Sequence, residues 1–184
     1  MQAAAHETPP AGKAPEVLTA LFNKHHEAVF RAAYRVTGNA MDAEDVLQTV
    51  FVRLLRRGDD LDLAESAGGY LHRAAVNAAL DVMRSRKRAP ALPLEDVEER
   101  TVDVAAVAPD RNSASRELAR RLRRALTRLS PRQAEIFTLR YLEGLGNLEI
   151  ARLLGSSQTA IAVILHRARH RLQRELGSLQ GELS

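Results

Sequence analysis

The sequence predicts an all-α protein built from two small helical domains joined by a flexible linker. Three observations point to it. Apolar residues recur every three or four positions in each periodic stretch, no segment alternates with the period of two that strands require, and a Pro-bearing stretch without an apolar face divides the chain. The length of 184 residues suits one medium domain or two small ones.

The first helix carries Leu18, Leu21, Phe22, Ala28, Val29, Ala32, Ala33 and Val36 at helical spacing, and Gly38-Asn39 supplies its stop. A second helix is expected from Asp42, whose side chain can cap the first turn, through Val46, Leu47, Val50, Phe51, Leu54 and Leu55 to Gly58. Asp59 to Glu65 reads as an acidic loop. A third helix from about Ser66 carries Leu71, Ala74, Ala75, Ala78 and Val82, and closes in the basic run Arg84 to Arg88. Residues 89–115, with Pro90, Pro93 and Pro109, read as the linker. Beyond them Leu118, Leu122, Leu126 and Leu129 recur every three or four residues. Ser130 then caps a helix with Pro131 in its first turn and Gln133 closing a capping box. Ile136, Phe137, Leu139 and Tyr141 carry that helix to Gly144. A short helix, Asn147 to Leu154, a Gly155-Ser156-Ser157 turn and a long helix from Gln158 to about Leu176 complete the chain. The expected division is 1–15 as a disordered N-terminus, 16–88 and 116–177 as the two domains, 89–115 as the acidic linker and 178–184 as a tail.

Composition narrows the function. Hydrophobic residues make up 45% and charged residues 27%, as in ordinary globular proteins, and aromatics only 4%, with no Trp. The absence of Cys removes disulfides, Cys-based zinc sites, iron–sulfur clusters and thiol nucleophiles, and it suits a reducing compartment. The longest unbroken apolar run, Ala160 to Leu165, has six residues, against roughly 18 needed to cross a bilayer. The start MQAAAHETPPAGKAP has neither the basic nor the apolar region of a secretion signal. A soluble, cytoplasmic protein is expected.

The net charge of +4 hides a segregation. Residues 116–177 hold 13 Arg against 5 Glu, residues 16–88 hold 11 basic against 10 acidic side chains, and residues 89–115 hold 2 Arg against 6 acids. Arg presents a planar fork of donors that suits phosphate, although a solvated helix surface has the same composition. The most specific signal lies at Asn147–Leu176. A short helix, a turn containing Gly, and a second helix with Ile161, Ile164, Leu165, Ala168 and Leu172 on one face match a helix-turn-helix, whose second helix enters the major groove. An ordinary helical hairpin is the plain alternative, and the concentration of Arg favours DNA. His166 and His170 have metal-ligand spacing, but Arg167 and Arg169 between them repel a cation, so phosphate contact or simple exposure is expected and no metal. The neighbours His25 and His26 point to different sides of a helix. No Ser-His-Asp set, glycine-rich phosphate loop or paired-carboxylate site is recognisable by spacing, and neither an enzyme nor a cofactor is expected.

These residues resemble a known family. The run SPRQAEIFTLRYLEGL from Ser130, with EIARLLG from Glu149 and LHRAR from Leu165, is similar to region 4 of bacterial sigma-70-family factors. DAEDVLQTVFVR from Asp42 is similar to region 2.2, and YLHRAAVNAALD from Tyr70 with the basic run after it to regions 2.3 and 2.4. Regions 2 and 4 alone mark the compact extracytoplasmic-function group.

The resemblance implies a factor that does no chemistry of its own. It binds core RNA polymerase, recognises the minus-10 and minus-35 promoter elements and helps open the DNA. Its implied partners are the polymerase (β′ clamp helices and β flap), promoter DNA and an anti-sigma factor, with no small-molecule substrate. By motif position Asp45 and Gln48 face the β′ coiled coil with Arg53 near the contact; Thr49 stands where the family commonly has an acid. A second role for Asp45, favouring the first helical turn, is compatible with the first. The minus-10 pocket maps to Leu61–Ser66, Tyr70 and Asn77, with Arg84, Arg86, Lys87 and Arg88 on nearby phosphates. Tyr70 replaces a frequent Trp and Leu61 lies where an aromatic often sits, which implies a weaker stacking platform. Asn77 can read a base edge through both donor and acceptor.

On the recognition helix the groove-facing positions are Gln158, Thr159, Ala162, Val163 and His166. With Ala162 and Val163 where the family often has Lys, Ser or Arg, few donors remain for base edges. The minus-35 element is then expected to be read mainly by shape and by phosphate contacts from Arg167, Arg169 and Arg171. The linker could extend to about 90 Å at ~3.3 Å per residue, more than the roughly 50–70 Å between two sites one and a half to two turns apart. Its acids, Glu95, Asp96, Glu98, Glu99 and Asp103, either follow the polymerase RNA path or are simply solvated. Two other functions share parts of this pattern: a free-standing helix-turn-helix regulator that binds palindromic DNA, and a sigma-like decoy that binds a regulator without initiating transcription.

Overall fold

The computed structural model describes residues 14–57, 67–88 and 113–181, and all regular structure among them is helical. Seven helices follow in order: α1 (Ala14–Thr37), α2 (Ala40–Arg57), α3 (Ala67–Arg88), α4 (Ser113–Leu126), α5 (Pro131–Tyr141), α6 (Asn147–Leu153) and α7 (Gln158–Gly181). Leu61, the Asp59–Glu65 loop, residues 89–112 of the linker, the first 13 residues and the last three lie outside the described residues.

Helices α1 to α3 form one bundle. Val29, Ala32, Ala33 and Val36 on α1 meet Ala43, Val46, Val50 and Leu54 on α2 and Leu71, Ala75, Ala78 and Ala79 on α3, all buried. The many Ala side chains let the backbones approach closely. Gly38 ends α1 in the left-handed conformation, φ +69°, which costs a Cβ-bearing residue about 1–2 kcal/mol. The expected cap at Asp42 is corrected. Helix α2 begins at Ala40, and Asn39 Oδ1 accepts the Asp42 backbone N–H at 3.0 Å. Asp42 instead turns inward, is 5% exposed, and pairs with Arg86 of α3.

Helices α4 to α7 form the second unit around Leu126, Leu129, Ile136, Leu139, Ile150, Ile161, Leu165, Ala168 and Leu172. The capping box of α5 is present: Ser130 Oγ accepts from the Gln133 N–H and Gln133 Oε1 from the Ser130 N–H, each at 3.3 Å. Among the periodic apolar residues, Phe22, Ala28, Leu55, Leu118 and Tyr141 are exposed rather than buried. Phe22 still packs one edge on Phe51 and stacks on His26.

The two units dock against each other, α3 against α5, and their apolar residues form one continuous core. Gly69 of α3 is part of this junction, because a Cβ there would lie 3.2 Å from Leu153 Cδ1 of α6. No single helix among the described residues is long and apolar enough to cross a membrane.

Candidate polymerase and nucleic-acid interface

Helix α2 buries one side completely, and 3.6 residues per turn puts Met41, Asp45, Gln48, Val52 and Leu55 on the other. All five are exposed, Met41 at 71%, Val52 at 44% and Leu55 at 56%. Arg53 is exposed beside this stripe, and Thr49 is half-buried at its edge. Three apolar side chains, Met41, Val52 and Leu55, are thus turned to solvent between polar ones. The motif picked out Asp45 and Gln48; the apolar members Met41, Val52 and Leu55 follow from the same helical spacing once the buried side is known.

On α3, Tyr70 is half-buried against the core and Asn77 is half-buried under α5. The basic end of the helix is partly engaged within the chain. Arg84 Nη1 bonds Asp81 Oδ1 at 3.2 Å and Arg86 pairs with Asp42, while Lys87 and Arg88 are exposed. Burial pushes the Asp42 carboxyl above its ordinary value, and the attraction of Arg86 only partly offsets this. The Arg84–Asp81 pair has an exposed carboxylate and contributes little, whereas Arg86 is the partner of a buried one.

The helix-turn-helix is built as the sequence predicts. Glu149 Oε2 accepts the Gly146 N–H at 2.6 Å at the start of α6, and Gly155 turns the chain with φ +57°. Ser157 Oγ then accepts the Ala160 N–H at 3.1 Å to start α7. The axes of α6 and α7 differ by 108°, inside the range of about 90–120° for this motif. Ile161, Leu165, Ala168 and Leu172 are buried and Ile164 half-buried. Gln158, Thr159, Ala162, Val163, His166, Arg167, Arg169 and Arg171 are all exposed. The His166 and His170 rings meet edge-on, centroids 4.4 Å apart.

Sequence reasoning missed two carboxylates of the second unit. Glu135 is 5% exposed, and its Oε1 accepts from Arg73 Nε at 2.7 Å and from Asn77 Nδ2 at 2.9 Å. Its Oε2 accepts from Arg132 Nη1 at 2.9 Å. Burial raises the Glu135 pKa, but these hydrogen bonds outweigh it and hold the carboxyl below its ordinary value. Just after α5, the buried Glu143 accepts from Arg35 Nη1 at 2.7 Å, and His72 Nε2 lies 3.1 Å from the same oxygen. Apart from Arg132, three residues before Glu135, the hydrogen-bonded partners stand 58 to 108 residues away in sequence, so no local pattern points to them.

Comparison with known proteins agrees with this geometry. Sigma-70 region 2 matches residues 21–89 and sigma-70 region 4 matches residues 119–172. The chain is 33% identical over 162 residues to the ECF RNA polymerase sigma factor SigM of Mycobacterium tuberculosis, covering 86% of this chain and 76% of that one. It is 34% identical over 152 residues to the RNA polymerase sigma-E factor of Streptomyces avermitilis, covering 83% and 80%. Two solved structures share the fold. CnrH in complex with the cytosolic domain of CnrY has a TM-score of 0.53 at 23% identity, over 89% of this chain and 90% of that one. The sigma factor RpoE in complex with the anti-sigma factor NepR from Bartonella quintana has 0.51 at 21% identity, over 88% and 98%. With both regions matched in order on the two helical units, the chain belongs to the sigma-70 family and, within it, to the ECF RNA polymerase sigma factors.

Proposed function

We propose that this sigma factor directs core RNA polymerase to promoters by dividing the task between its two helical units. Residues 16–88 dock on the β′ clamp helices through Met41, Asp45, Gln48, Val52 and Leu55, with Thr49 and Arg53 beside them. The loop holding Leu61, with Tyr70 and Asn77 of α3, receives the unstacked minus-10 strand, and Arg84, Arg86, Lys87 and Arg88 meet its phosphates. Residues 116–177 approach the β flap and lay α7 in the minus-35 major groove. There Gln158, Thr159, Ala162, Val163 and His166 face the bases, and Arg167, Arg169 and Arg171 the backbone. Residues 89–115 tether the two. The factor makes and breaks no covalent bond, needs no metal or cofactor, works in the cytoplasm with the polymerase, and is held in check by an anti-sigma factor.

The single observation that carries this reading is the exposed stripe on α2. On a free-standing DNA-binding regulator the same row would pair two copies, which predicts binding of palindromic DNA without the polymerase. Run-off transcription with purified core polymerase tests it. Transcript is expected from a candidate promoter only with both components present. Specific binding of palindromic DNA by the protein alone, without stimulation of the polymerase, overturns the reading.

A further inference from the structure

Sulfur enters this chain only as thioether: there is no Cys, and Met41 and Met83 are the methionines among the described residues. The two stand in opposite surroundings. Met83, on α3, is half-buried and packs on the core. Met41, in the first turn of α2, is 71% exposed, the most open large apolar side chain among the described residues. It heads the stripe that continues through Asp45, Gln48, Val52 and Leu55. A thioether is soft and polarizable, and a peroxide oxidises it where the sulfur is accessible.

We propose that Met41 is an oxidation site through which a peroxide closes the α2 face to the polymerase. This rests on the reading of that face as the polymerase-docking surface. In the reaction a sulfur lone pair attacks one peroxide oxygen, and the S–O bond forms as the O–O bond breaks. Sulfur loses two electrons, the peroxide gains them, and the second oxygen of hydrogen peroxide leaves as water. A reductase drawing on a dithiol reverses the step: the oxygen departs as water while two thiols become a disulfide. The sulfoxide oxygen is a hydrogen-bond acceptor that water satisfies in the free chain. Docking takes it out of water, and an acceptor buried without a donor weakens the contact. The stripe itself offers no relief. The Asp45 carboxylate, one turn along, has acceptors only, and Gln48, the first donor, lies seven residues on, roughly 10 Å along the axis at about 1.5 Å per residue. Docking also covers the sulfur, so the peroxide acts on the free factor and spares the holoenzyme.

The full-length protein, alone and as holoenzyme, is treated with hydrogen peroxide and mapped by peptide mass spectrometry. One added oxygen is expected at Met41 before Met83 in the free protein, and much more slowly at Met41 in the holoenzyme. Binding to core polymerase is then read by fluorescence anisotropy as the ratio of affinities before and after treatment. The parent is expected to weaken about tenfold, the cost of burying one acceptor without a partner. Its Tm should hold, and a methionine sulfoxide reductase with dithiothreitol should restore its binding. Met41→Leu should give a ratio near one, whatever its starting affinity, and Met83→Leu the ratio of the parent. An oxidised parent that binds as before overturns the assignment, as does a Met41→Leu protein that weakens as the parent does, or equal oxidation of Met41 in the holoenzyme. Val52→Glu separates this from the reading beneath it. If Val52→Glu also binds normally, the α2 face is not the docking surface; if it weakens binding while oxidation of Met41 does not, the oxidation site alone fails.

Discussion

Arg86, in the last turn of α3, pairs through Nη2 with Oδ1 of Asp42, in the first turn of α2. Asp42 is almost fully buried while the Arg86 side chain is 62% exposed. The pair is therefore lopsided, with the carboxylate bearing the desolvation cost.

The raised pKa of Asp42 gives the first prediction. A carboxyl whose folded value lies above its unfolded value of 3.8 contributes stability that is present below 3.8 and lost as pH rises through the folded value. Asp42→Asn removes that loss. It is expected to raise stability at neutral pH by up to ~1 kcal/mol, about 2–4 °C in Tm for a chain of this size. Thermal unfolding from pH 3 to 7 checks it. Both should gain stability between these limits from Glu135, whose lowered pKa makes its contribution present above 4.5 and lost as pH falls through its lowered value; the parent should gain less than the variant, because only the parent must ionise a buried Asp42.

The α2 stripe gives the second. Val52 and Leu55 are exposed, so Val52→Glu and Leu55→Glu should leave the stability within about 0.5 kcal/mol of the parent. Each should weaken binding to core polymerase by at least ~30-fold, the ~2 kcal/mol expected of a central interface residue. Gln48→Ala should cost less. Fluorescence anisotropy with labelled protein and purified core enzyme measures all three. A variant that loses both polymerase and thermal stability would place the residue in the fold instead.

Much of this was legible before any coordinates. The α5 start is an example: Ser130, Pro131 and Gln133 specify a capping box by chemistry that acts over three residues, and the structure makes both of its hydrogen bonds. The buried side of α7 was equally readable, because Ile161, Leu165, Ala168 and Leu172 repeat with the helix. Asp42 shows where local reasoning ends. Asn39 and Asp42 can both cap a helix, and what decides between them is Arg86, 44 residues further on, which draws Asp42 inward. Glu135 is a stronger case. On α5 it reads as an ordinary charged helix residue, and only the docking of α3 makes it a buried acceptor for Arg73 and Asn77.

The third prediction concerns α7. Arg167, Arg169 and Arg171 are exposed on a helix with few base-edge donors at its start. Each Arg that neutralises one phosphate adds about 0.9 to the slope of log K against log salt. Arg167→Ala or Arg169→Ala in the holoenzyme should therefore lower that slope by ~0.9 and weaken binding almost equally on all promoters. Gln158→Ala should leave the slope unchanged and cost at most about 1 kcal/mol at one base position. Filter binding from 50 to 300 mM salt, with a binding-site selection for Gln158→Ala, separates the two. A strong guanine preference that Gln158→Ala abolishes would show that α7 reads bases directly.

The last prediction uses two glycines with the same backbone strain and different surroundings. Gly155 in the α6–α7 turn has φ +57° and nothing within 4 Å of an added Cβ. Gly155→Ala should cost the strain alone, about 1–2 kcal/mol, and Gly155→Asn less, since Asn visits this conformation more readily. Gly38 has φ +69°, but a Cβ there would come within 2.1 Å of the Arg123 guanidinium carbon, which reaches over from α4. That guanidinium ends a flexible side chain and can swing aside, so the extra cost falls on the contact between the two units rather than on either core. Gly38→Ala should thus lower Tm by a similar amount while also lengthening the distance between labels on α1 and α7. Gly155→Ala should leave that distance unchanged. If both variants shift Tm and neither shifts the distance, Arg123 at Gly38 plays no part in holding the units together.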